Sequence, residues 1–105
     1  MTLFNLPVYV LVVCTAYTAS FDECGKTDGI TASGRLATPH RTVACDDLPF
    51  GTRIRIDGKE YVVEDRFGGD YKNKIDIFME TKEEAYQFGR QYKFIEVIKE
   101  DNNNG

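Results

Sequence analysis

The sequence predicts a mainly β fold, a small closed or semi-closed barrel of short strands with one late helix. Three observations carry this expectation. Strand signals recur at short intervals, the stretches between them are rich in turn residues, and the one clear helical stretch comes just before the last strand.

The first strand signal is Val8 to Val13, where β-branched and aromatic residues dominate and Pro7 suits a strand start. Its surroundings, Leu3 to Val13, are apolar enough to raise the question of targeting. The uninterrupted part, Leu6 to Val13, is far shorter than the ~20 residues needed to cross a bilayer. No Lys or Arg precedes Lys26, so the basic flank of a signal peptide is missing. The segment is therefore expected to pack into the barrel, with no membrane span and no export signal of its own.

Tyr17 to Pro39 reads as a long loop rich in Gly, Thr, Ser and Asp, with a turn at Asp28-Gly29. Strand signals then follow at Arg41 to Cys45, Arg53 to Ile56, Tyr61 to Glu64, Ile75 to Met79 and Phe94 to Ile98. Asp57-Gly58 predicts a type I′ hairpin turn between two of them. The helix is expected from Lys82 to about Gln91, with Thr81 and Glu84 spaced as a capping box and Ala85 and Phe88 on its buried edge. The polar tail, 101–105, should be frayed.

A chain of 105 residues suits one domain, here 1–100. The net charge of -4 and the lack of any basic run speak against a nucleic-acid partner. Three cysteines, Cys14, Cys24 and Cys45, allow at most one disulfide within the chain. Whether Cys24 and Cys45 pair or Cys14 stays free is left open. Neither the cysteine spacing nor the single His40 matches a zinc site, so no metal and no cofactor are expected. The expected state is a monomer.

Candidate chemistry lies with the acidic residues embedded among apolar strand residues. Asp65 follows Tyr61-Val62-Val63-Glu64, and Asp76 lies between Ile75 and Ile77. Alternation puts Asp76 on the face opposite those isoleucines and on the same side as Phe78. If that face is partly desolvated, the carboxyl's charged form is disfavoured and it can donate a proton near neutral pH; on a solvated sheet face it is merely a surface charge. Between the two aspartates runs a loop, Arg66 to Lys74, whose basic, aromatic and amide groups suit sugar binding, or which simply connects strands through Gly68-Gly69. Asp46 either caps a turn before Pro49 or joins the site. Thr31-Ala32-Ser33-Gly34 is a small polar turn whose hydroxyls are candidates to bond a carboxylate or a sugar. His40 has a side chain suited to proton transfer, but no partner is visible beside it.

Read together, Thr15-Ala16-Tyr17, the GITASG of Gly29 to Gly34, the VACD of Val43 to Asp46, the LPFGT of Leu48 to Thr52, the VVED of Val62 to Asp65, the IDIF of Ile75 to Phe78 and the EEAYQFGR of Glu83 to Arg90 resemble the three-aspartate (3D) domain. That family is related to the catalytic barrel of membrane-bound lytic transglycosylase A. The resemblance covers about Val10 to Ile98 and implies a six-stranded double-psi β-barrel, with Asp46, Asp65 and Asp76 as the three aspartates. It implies cleavage of peptidoglycan glycan strands at the bacterial cell wall. Asp76 would be the general acid, Asp65 its electrostatic partner, and Thr15, Thr31 and Asp46 would orient the site. Thr15, Tyr17, Thr31, Ser33, Gly68, Gly69 and Lys72 would meet substrate. The sequence departs from the family in having Arg66 and Phe67 before Gly68-Gly69, which puts the path of that loop in question. A shortened stretch before Pro49 leaves Asp46 and Asp47 as alternatives for the first aspartate. Delivery by a phage would fit a chain with no export signal. The alternative functions are a non-catalytic polysaccharide-binding barrel of the expansin and barwin kind and a structural component of a phage particle.

Overall fold

The structure, a computed structural model, describes residues 8–19 and 30–99. Six strands and one helix follow in the order β1 (Val8–Tyr17), β2 (Thr42–Ala44), β3 (Arg53–Ile56), β4 (Lys59–Asp65), β5 (Lys74–Phe78), α1 (Lys82–Phe88) and β6 (Gln91–Lys99). The strands close into a barrel in the order β1-β5-β2-β4-β3-β6. Two neighbouring pairs are parallel, β1 with β5 and β2 with β4, and the other four are antiparallel. The turn at Asp28-Gly29, Cys24 and the polar tail lie outside the described residues.

Closure gives each strand an inner and an outer face. Val12, Cys14, Val43, Cys45, Ile54, Ile56, Tyr61, Val63, Ile75, Ile77 and Ile95 meet inside, at alternate positions along their strands. The β3–β4 hairpin turns at Asp57 (φ 52°) and Gly58 (φ 80°), both left-handed, as a type I′ turn requires.

Several boundaries differ from the expectation. β1 runs on to Tyr17, because its far half pairs with β5 through Thr15, Ala16 and Tyr17. Thr15 is thus a strand residue, and Tyr17 ends the strand and does not start the loop. β6 begins at Gln91, opposite Cys14. The helix accordingly stops at Phe88, where Gly89 takes φ 68° and its N–H bonds to the Ala85 carbonyl. At the other end Thr81 Oγ1 accepts from the Glu84 N–H at 3.1 Å, as a cap. None of the helix residues is buried; Ala85 and Phe88 are only half-buried, because the helix lies across the surface beside β1.

The register between β2 and β4 slips by one residue. Val43 pairs with Val63, yet the next residue, Ala44, pairs with Asp65. Two residues of β4 thus face one of β2, which reverses the alternation of β4 beyond Val63.

Candidate functional site

The slip determines where Asp65 points. Strict alternation from Val63, a core residue, would carry Asp65 inward. The extra residue brings it to the outer face, in register with Ala44. Ala44 is also the register partner of Asp76 on β5, and Asp76 in turn pairs with Thr15 on β1. Thr15, Asp76, Ala44 and Asp65 therefore form one lateral row across four adjacent strands. The two aspartates are two strand spacings apart, roughly 10 Å between Cα atoms, with only a methyl group between them.

Both carboxylates are held by hydroxyls from β1. Thr15 Oγ1 donates to Asp76 Oδ1 at 2.7 Å, and Tyr17 Oη donates to Asp65 Oδ2 at 2.8 Å. Thr15 and Tyr17 are two apart in a strand and so share a face. Tyr17 is further fixed by an edge-on contact with Phe78, its register partner, at 5.3 Å between ring centroids. The other oxygen of Asp65 accepts the backbone N–H groups of Ala32 (2.8 Å) and Arg66 (2.9 Å). The Thr31 to Gly34 turn thus reaches the carboxylate through an amide and not a hydroxyl. The Thr31 hydroxyl bonds instead to the Arg35 carbonyl and to the Ser33 hydroxyl, both at 2.9 Å.

Asp46 stands apart from this row. Its two oxygens accept four backbone N–H groups of the β4–β5 loop, from Phe67 (2.8 Å), Gly68 (3.2 Å), Gly69 (3.1 Å) and Tyr71 (2.9 Å). Desolvation opposes the charge on Asp46, but the four amides together outweigh it and hold the carboxyl below its usual range. The neighbouring Asp47 accepts the Asn73 N–H at 3.0 Å and the Cys45 thiol at 3.2 Å. Both aspartates therefore tie down one loop. Gly68 is left-handed at φ 87°, which favours glycine, and a Cβ on Gly69 would come within 2.5 Å of the Tyr71 ring, so the ring would have to turn aside. Lys72 is exposed at its rim and pairs with Asp70 at 3.6 Å.

His40 lies beside the helix, its Nε2 3.5 Å from Glu84 Oε1. Cys14 and Cys45 are free, buried thiols. Among the described residues, no group of three or more His, Cys, Asp or Glu side chains is placed to hold a metal ion, and no helix is long and apolar enough to cross a membrane.

The chain is similar to a cell wall protein. It is 33% identical over 93 residues to "Putative cell wall shaping protein YabE" of Bacillus subtilis (strain 168), a match that takes in 83% of this chain and 22% of that relative. The chain thus spans about a fifth of the relative's length, 22% of it. No protein-family model matches the chain.

Two groups beside the row were not singled out in the sequence. Ala32 contributes through its backbone, which no residue type advertises. Glu64 is 5% exposed and accepts the Thr42 hydroxyl (2.8 Å) and the Arg41 guanidinium (3.1 Å). A buried, fully bonded carboxylate next to Asp65 has a signal only in hindsight, in the adjacent acids of Glu64-Asp65.

Proposed function

We propose that the chain acts on the bacterial cell wall as a lytic transglycosylase, with Asp76 as general acid and base. The observation that supports this best is the lateral row. Two half-buried carboxylates flank a methyl group on the outer face of the barrel, and each is oriented by its own hydroxyl from β1. The similarity to a protein named for cell wall shaping, and the resemblance of the motifs to the 3D domain, support the choice of substrate. The two parallel strand pairs support the double-psi form of the barrel.

In this reading Asp76, oriented through Oδ1 by Thr15, gives its proton to the glycosidic oxygen between N-acetylmuramic acid and N-acetylglucosamine. The C1–O bond breaks with positive charge on the muramoyl ring, which ionised Asp65 stabilises across Ala44. The Asp76 carboxylate then takes the proton of the muramoyl C6 hydroxyl as that oxygen closes on C1. Asp76 ends protonated and the product carries a 1,6-anhydro ring. Tyr17 and the amides of Ala32 and Arg66 keep Asp65 in place, while Asp46 shapes the loop that forms one wall of the site. Gly68, Gly69 and Lys72 border the sugar path.

Incubation with purified peptidoglycan and mass analysis of the soluble products tests the assignment. Anhydro-muropeptides are expected. Reducing-end products would make the protein a hydrolase, and retention on peptidoglycan without products would make it a binding barrel.

A further inference from the structure

A recess beside the row contains neither Asp65 nor Asp76. It encloses about 180 Å³ and is lined by Ser33, Arg35, Arg41, Phe50, Arg53 and Glu64, with Val62 and Val63 of β4 between them. Three arginines line it, on a chain whose net charge is -4.

The charges do not cancel. Glu64, buried beneath the recess, meets Arg41 at 3.1 Å, and Glu60 meets Arg53 at 3.6 Å. Arg35, on the exposed turn after Gly34, has no ion-pair partner among the described residues. Among the described residues one positive charge is therefore left over, on a planar fork of donors suited to an oxyanion with two accepting oxygens. A single excess charge fits a carboxylate or a phosphodiester better than a dianionic phosphate.

The recess is tied to Asp65 by three short links. Glu64 precedes Asp65 in the chain. Ser33, whose N–H bonds to the Glu64 carbonyl at 3.3 Å, follows Ala32, which holds Asp65. The ring of Phe50 carries the Arg66 guanidinium at 3.8 Å, and the Arg66 N–H holds the same carboxylate. An anion in the recess would thus lie on the Asp65 side of the row.

We infer that this recess is a subsite for a carboxylate on the peptide carried by the glycan strand. The inference rests on the glycan-cleaving reading above and adds that the protein distinguishes peptide-bearing from bare glycan. Arg35 supplies the free charge, and Arg41 and Arg53 frame it.

Calorimetric titration of the full chain tests this with three probes: a disaccharide-peptide with free carboxylates, the same disaccharide with its peptide removed, and a glycerol phosphodiester oligomer. The peptide-bearing ligand should bind on the order of tenfold more tightly than the bare one, as charge-assisted hydrogen bonds warrant. Arg35→Gln should erase that difference, and added salt should shrink it. Equal affinity for the two saccharides, or an advantage that survives Arg35→Gln, overturns the inference, as does tighter binding of the phosphodiester. If the glycan reading itself fails, neither saccharide is cleaved and the bare one does not bind, yet the peptide-bearing one should still bind and lose that binding in Arg35→Gln. If only the inference fails, cleavage proceeds and the peptide changes nothing.

Discussion

Asp65 and Asp76 stand opposite the same residue, Ala44, one on each neighbouring strand. In sequence they flank one loop, on the consecutive strands β4 and β5; in the sheet β2 comes between those strands, and a single small side chain separates the two carboxylates. Their separate hydroxyl partners, Tyr17 and Thr15, come from one face of one strand, so a shift of β1 would move both carboxylates together.

Asp76→Asn keeps the shape of the side chain and removes its proton. Release of soluble products from peptidoglycan should fall by at least ~10²-fold, the usual contribution of general acid catalysis, with an unchanged melting temperature. Asp65→Asn should reduce turnover less completely, because it acts on charge in the transition state and gives up no proton. Near-parental activity in Asp76→Asn would sink the assignment.

Thr15→Val retains β-branching in the middle of β1 but removes the donor to Asp76 Oδ1. Turnover should drop roughly fivefold to tenfold, the worth of one hydrogen bond. Binding of the bare disaccharide should hold steady, which separates loss of orientation from loss of affinity.

Ala44→Leu places a branched side chain between the two carboxylates, at a site only 3% exposed. Overpacking there should cost about 1–3 kcal/mol in denaturant unfolding. Cleavage should be lost at temperatures where the variant is still folded, as circular dichroism will report.

Asp46 is depressed in the folded state, so it binds a proton less readily there than in the unfolded chain. Its contribution to stability is complete above the unfolded value near pH 4 and is lost as pH falls through the folded value. Asp46→Asn should therefore lower stability at pH 7 by about 1–2 kcal/mol and flatten the acid limb of a pH–stability curve. The same acid limb in variant and parent would contradict the four-amide cradle.

Burial pushes the thiols of Cys14 and Cys45 up to about 11 from an ordinary 9.0. A raised thiol leaves stability intact below the unfolded value and erodes it as pH climbs from about 9 towards 11. Peptide mapping after iodoacetamide at pH 8 should find both residues unmodified in the native protein and alkylated in guanidinium. Labelling of Cys45 in the native state would show that its strand end opens.

Much of the barrel was legible in the residues. Valine and isoleucine alternation marked the strands, Asp57-Gly58 marked a turn whose two left-handed residues it can adopt, and Thr81 marked the helix start. Asp76 was legible as well, because Ile75 and Ile77 on either side assign it to the outer face. The far half of β1 was not. Thr15 and Tyr17 are strand formers, but three residues leading into a Gly- and Ser-rich stretch carry no clear boundary, and pairing with β5 is what extends the strand through them. The helix end was missed for a related reason, since the pairing of Gln91 with Cys14 draws that residue into β6.

The sequence by itself determined the class of fold, the inner and outer faces of most strands, and which carboxyls were worth attention. The tertiary structure decided how they come together. Local alternation has a period of two and sends Asp65 toward the core; only the register between β2 and β4, which slips just after Val43 pairs with Val63, inserts the extra residue that turns it outward beside Asp76. The amides that hold Asp65 and Asp46 come from Ala32, Arg66 and the loop after β4, and a backbone N–H carries no mark of its partner until the chain has closed on itself.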